Sequence, residues 1–125
     1  MTTSMGKTLR LARLFDPDSA TSIILPMDHG VEESGYGELE RPLELVASLA
    51  EAGVNGFLTR RGLADFAQQA FAGRAGWVQR LTARTGLSPG LENEQLVLAS
   101  VEQALHNGAD AVVPTFFSVK TNVSG

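Results

Sequence analysis

The stretch that most constrains this chain is Ser22 to Gly30, SIILPMDHG, a continuous apolar run that stops at an aspartate, a histidine and a glycine. An apolar run without alternation, ended by polar turn residues, predicts a strand over 22–27 that is buried on both faces. Strands of that kind belong to parallel sheets. In parallel α/β folds the chemistry gathers at the carboxyl ends of the strands. Asp28 and His29 stand at such an end, so one run marks both a core strand and a candidate site.

The flanking segments repeat the same logic. Gly6 to Phe15 spaces its leucines helically and carries Lys7, Arg10 and Arg13, which predicts a short basic amphipathic helix covering one end of the fold. Asp16-Pro17-Asp18-Ser19 reads as a turn. After Gly30 a polar loop, Glu32 to Leu39, is long enough to be functional. A helix over 41–52 follows, with Pro42 in its first turn and Gly53 as its stop. Val54 to Thr59 predicts a second strand, and Arg60-Arg61-Gly62 a turn out of it. Leu63 to Ala72 predicts a helix with a stripe of Leu63, Phe66, Ala67, Ala70 and Phe71. Gly76 to Ala83 predicts a third strand with imperfect alternation, and Arg84 to Glu92 a loop. Asn93 to Asn107 predicts a helix with Val97, Val101, Ala104 and Leu105 on one side. Ala109 to Phe116 predicts a fourth strand, with Pro114 near its end.

The segments EAGVNGFLT and HNGADAVVPT both read as helix end, glycine, apolar strand, and Gly53 and Gly108 lie 55 positions apart. That spacing holds two βα units. Four strands alternating with three helices imply a parallel sheet with right-handed crossovers. The fold class is therefore α/β. At 43% hydrophobic and 19% charged residues the composition is globular. A net charge of −4 argues against nucleic acid as the partner. The chain contains no cysteine, which excludes disulfides and thiolate metal sites and fits a cytoplasmic location. Neither a signal peptide nor a run long enough to span a membrane is expected.

Four βα units are half of a (β/α)₈ barrel, which takes about 250 residues. A half barrel leaves two strand edges open and its inner face unpacked. Three expectations follow: a piece of a longer protein, a chain that pairs with itself or another to close a barrel, or a small open α/β sandwich.

With PMDHG on the page, the chain resembles the archaeal-type class I fructose-bisphosphate aldolase family, which includes hept-6-ulosonate synthase and the autoinducer-2 thiolase. The matching pieces run in family order: LRLARLFDP (9–17), PMDHG (26–30), Gly37 with Leu39-Glu40, TRRG (59–62) and GADAV (108–112). The resemblance implies a (β/α)₈ TIM barrel, here only about its first four βα units. It also implies aldol cleavage of a phosphorylated ketose through a lysine Schiff base, with no cofactor and no metal. In that chemistry a neutral lysine condenses with a ketone. The protonated imine then takes up the electrons of the breaking carbon–carbon bond, while an acid/base group moves the proton.

On this resemblance Asp28 matches the family's first-strand aspartate and takes its catalytic role. His29 and Arg60 are substrate-binding candidates. His29 has the alternative of bonding the loop backbone, and Arg60 that of a solvated arginine. The family's Schiff-base lysine lies on strand six and its tyrosine near strand five, both expected beyond Gly125, as are the phosphate loops of strands seven and eight. Lys7, Lys120 and Tyr36 match neither the lysine nor the tyrosine. The chain alone is therefore expected to be inactive. A homo-oligomer or a completing half-barrel is the expected partner, alongside a phosphorylated sugar or keto substrate. The rival reading is a non-catalytic half-barrel that acts by association.

Other residues fit plainer roles. Glu32 and Glu33 are adjacent and their side chains diverge. Asp28, His29 and His106 lack metal spacing. Gly35 and Gly37 complete no dinucleotide motif. Thr85, Ser88 and Ser118 fit turn chemistry.

Overall fold

A computed structural model describes residues 4–29, 37, 40–83 and 96–116. The elements are α1 (Met5–Leu14), β1 (Ile24–Pro26), α2 (Pro42–Glu51), β2 (Gly56–Thr59), α3 (Arg61–Phe71), β3 (Gly76–Arg80), β4 (Thr82–Ala83), β5 (Leu96–Val97), α4 (Val101–His106) and β6 (Ala111–Val113). A four-stranded sheet runs in the order β1-β2-β3-β6, with every pairing parallel. Three crossovers carry α2, α3 and α4, so the βα reading holds.

The helices pack on one face of the sheet. Phe57 and Trp77 point that way and bury with Val46, Ala64, Ala67, Phe71 and Ala104. Phe57 and Phe71 meet edge to face, with ring centroids 5.5 Å apart. Strand residues alternate between faces, so Thr59 and Gln79 share the helix side while Leu58, Val78 and Arg80 face the other. Gly53 and Gly108 take φ of +107° and +94° after their helices, the left-handed stop that the sequence echo required.

Alpha1 closes the end where the strands begin. Leu14 is buried against the starts of β2 and β3, which are both glycines. A Cβ at Gly56 would lie 2.9 Å from Leu14 Cδ2, and one at Gly76 would lie 2.5 Å from it. The same end is tied by Asp110. Its Oδ1 accepts from Arg13 Nε at 2.6 Å, and its Oδ2 accepts from the Trp77 amide at 2.9 Å.

Four expectations are corrected. The strand over 22–27 is shorter and is not buried on both faces. Among the described residues β1 pairs only with β2, at the edge of the sheet, and Ile24 and Pro26 lie exposed on the side away from the helices. The third strand ends at Arg80. Thr82–Ala83 instead pairs antiparallel with Leu96–Val97, which the sequence placed in a helix. That helix starts only at Val101, because Ser100 and Gln103 form a reciprocal capping box: Ser100 Oγ accepts from the Gln103 amide, and Gln103 Oε1 accepts from the Ser100 amide. Val97, Val101 and Leu105 are exposed and Ala104 is buried, so the short helix presents a different face from the one expected. Finally, α3 begins at Arg61 rather than Leu63, and Phe66 leaves the stripe. It is 65% exposed, while Ala64, Ala67 and Phe71 at helical spacing make the buried side.

Candidate active site

Asp28 lies two residues beyond β1, and Arg80 is the last residue of β3. Arg80 Nη1 donates to Asp28 Oδ2 at 2.5 Å, with the side chains 13% and 9% exposed. The pair bridges the carboxyl ends of two strands that are separated by β2. Register explains the meeting. Pro26, Leu58 and Val78 align across the three strands, and the next step of the pleat brings Asp28, Arg60 and Arg80 into one row. Nearly dry and paired with a guanidinium, the Asp28 carboxylate is anchored through Oδ2. One oxygen is thus committed to Arg80.

Arg60 is the N-cap of α3 and is half-buried, and its Nη1 donates to the Thr82 carbonyl at 3.1 Å. Its backbone is extended (φ −84°, ψ 163°), which turns the chain from β2 into α3 at the strand's end. Beneath it, Trp77 Nε1 donates to Thr59 Oγ1 at 2.9 Å, and Thr59 Oγ1 donates to the Arg60 carbonyl, so a buried chain of bonds supports the row from the helix side. His29 follows Asp28 and is exposed. The structure thus brings Asp28 and Arg60 to one end, with His29 beside them.

The other candidates separate. Lys7 is exposed on α1, at the opposite end of the sheet from Asp28, and His106 is exposed on α4. Arg61 is exposed and pairs with Asp65 one turn on, at 3.3 Å. Glu32, Glu33, Gly35, Tyr36, Thr85, Ser88, Ser118 and Lys120 lie outside the described residues. Among the described residues no group of three or more His, Asp or Glu side chains could hold a metal, and no helix is long and apolar enough to cross a membrane.

Arg80 is the residue that reading the sequence missed. Its signal was present: in GWVQRLTA it is the one charge within an otherwise uncharged strand. A buried strand carries an arginine only against a partner, and Asp28 is the carboxylate at the matching height.

Comparison with known proteins places this site in context. The model of the DeoC/LacD family of aldolases matches residues 22–122. The 2-amino-4,5-dihydroxy-6-oxo-7-(phosphonooxy)heptanoate synthase of Streptomyces griseus is 31% identical over 107 residues, covering 86% of this chain and 39% of that protein. The 2-amino-3,7-dideoxy-D-threo-hept-6-ulosonate synthase 1 of Archaeoglobus fulgidus is 32% identical over 110 residues, covering 86% and 40%. A Schiff-base-forming fructose-1,6-bisphosphate aldolase of known structure superposes with a TM-score of 0.65 at 28% identity, and an archaeal fructose 1,6-bisphosphate aldolase with 0.64 at 30%. Each structural match covers 86% of this chain and 43% of the other. The chain therefore spans well under half the length of these relatives, and its four parallel strands are βα units of the TIM-barrel type. With its family model matched across both ends of the Asp28–Arg80 pair, the chain belongs to the DeoC/LacD family of aldolases.

Proposed function

We propose that this chain contributes the first four strands of a class I, Schiff-base aldolase that makes or breaks a carbon–carbon bond in a phosphorylated ketose such as fructose 1,6-bisphosphate. A transferase or thiolase reaction of the same family is the nearest variant. The observation that carries the proposal is the buried Asp28–Arg80 pair, set at the carboxyl ends of parallel strands in an aldolase-family chain. In this reading Asp28 Oδ1 faces the substrate, orients a hydroxyl and moves its proton as the bond breaks. Arg80 fixes the carboxylate. Arg60 and His29 contact the substrate's polar groups. The Schiff-base lysine belongs to the remaining strands, which close the barrel over Ile24, Pro26 and Leu58. The setting is cytoplasmic.

The test is chemical. The chain is incubated with dihydroxyacetone phosphate and borohydride, alone and joined to the second half of an archaeal aldolase relative. Expected is a trapped adduct in the joined protein only, with a turnover that Asp28→Asn lowers about a hundredfold, the scale of a lost acid/base group. An adduct on the 125-residue chain alone, or full turnover in the Asp28→Asn protein, overturns the proposal.

A second reading, a non-catalytic half-barrel that acts by association, draws on the exposed inner face, where Ile24 is 42% exposed on β1, the edge strand of the sheet among the described residues. A stable homodimer by sedimentation, coupled with no activity in the joined protein, favours it.

A further inference from the structure

On the helix side of the sheet a cleft of about 270 Å³ opens between α3 and α4, with Arg60, Arg61, Gly62, Gln79 and Arg80 in its lining. Gln79 forms its floor. This side chain is 1% exposed, and its Oε1 accepts no hydrogen bond among the described residues. A buried carboxamide oxygen without a partner costs about 1–3 kcal/mol, which a ligand's donor would recover. The cleft's rim is the start of α3, an eleven-residue helix whose N-cap, Arg60, supplies no side-chain hydrogen bond to the first amides. Those amides carry the positive end of the helix dipole. Gly62 sits in this first turn, and a Cβ there would meet nothing within 4 Å, so the backbone is open to close approach. Arg61 adds a cation at the rim, and no carboxylate lines the cleft among the described residues.

We propose that this cleft binds a small hydroxylated anion: the charge sits on the α3 amides and Arg61, and a hydroxyl donates to Gln79 Oε1. The two ends of the ligand are dictated by the two ends of the cleft. The α3 amides and Arg61 offer only donors, and Gln79 offers an acceptor buried too deeply for bulk water. Gln79 and Arg80 point to opposite faces of β3, and Arg60 and Arg80 also line the cleft, so it adjoins the Asp28 row from the helix side of the sheet; binding there rests on Gln79 and the α3 amides and not on the aldolase reading.

The experiment is amide and side-chain chemical-shift titration of the 125-residue chain with inorganic phosphate and with glycerol 3-phosphate. Expected are shifts centred on Gly62, Leu63 and the Gln79 carboxamide, with glycerol 3-phosphate bound about tenfold more tightly than phosphate, the worth of one added hydrogen bond to a buried acceptor. Gln79→Leu removes that preference and keeps phosphate binding. Gly62→Asp places a carboxylate at the helix start, where it favours the helix, and abolishes the binding of both anions. Shifts that map elsewhere, a preference that survives Gln79→Leu, or phosphate binding that survives Gly62→Asp each overturn the proposal.

Discussion

Both ends of this sheet hold an arginine–aspartate pair, and the two pairs are built differently. At the end where the strands begin, both oxygens of Asp110 are used, one by Arg13 and one by the Trp77 amide, and its side chain is 4% exposed. At the other end Asp28 gives one oxygen to Arg80, with the two side chains 9% and 13% exposed. The first arrangement is saturated and ties α1 to β3 and the start of β6. The second ties the ends of β1 and β3, where the strands finish. In a βα barrel that division is expected: the amino-terminal end of the strands carries stability and the carboxyl end carries function. What the comparison teaches is that residue type alone does not separate the roles. Their place along the strands does.

The comparison can be broken most directly at Asp110. Asp110→Ala strands the Trp77 amide and releases α1, and should cost about 3 kcal/mol of unfolding free energy in a denaturant titration. A loss as small as that of a surface substitution would mean the saturated pair is not the tie described. Gly76→Ala attacks the same end by volume. The new Cβ meets Leu14, and the expected cost is about 2 kcal/mol, read as a lower midpoint with an unchanged slope.

The carboxyl end should respond less in stability. Asp28→Asn keeps the shape and one acceptor for Arg80, so a cost of about 1 kcal/mol is expected, alongside the large loss of turnover proposed above. If Asp28→Asn destabilised as much as Asp110→Ala, the functional contrast between the ends would disappear.

The smallest effect belongs to Asp16. The amides of Ser19 and Asp18 donate to its carboxylate and hold its pKa below the ordinary aspartate value. A carboxylate depressed in the folded state contributes stability above its unfolded pKa and loses it as pH falls through the folded one. The turn at 16–19 should therefore loosen only at acid pH, below the ordinary aspartate range. Amide exchange at Asp18 and Ser19 across that range checks it, and Asp16→Asn should remove the pH dependence.

Much of the fold was legible because it rests on local chemistry. The apolar runs at 22–27, 54–59 and 109–116, and the glycines after each helix, set the strands and their order with only their ends misplaced. The third strand was harder. Its break after Arg80 depends on Thr82–Ala83 finding Leu96–Val97, a pairing fourteen or so residues away that no local pattern announces. The capping box at Ser100 and Gln103 was readable in principle, since a serine followed three residues later by glutamine is its signature. The apolar period continuing upstream of it suggested a longer helix instead.

The site divides in the same way. Asp28 stood out because an acidic residue ends an apolar run, and that much belongs to the sequence alone. Its partner did not, because Arg80 lies 52 residues away and is brought to Asp28 by the register of three parallel strands. The sequence determined the alternation of strand and helix, the parallel sheet and the carboxylate at its end, all of which follow from periodicity and turn chemistry within a few residues. Only the tertiary structure decided which cation meets that carboxylate, which face of α4 is buried, and that β1 stands at the edge of the sheet among the described residues. Each of these depends on what lies across the sheet, and a side chain's neighbours across a sheet are set by register and not by distance along the chain.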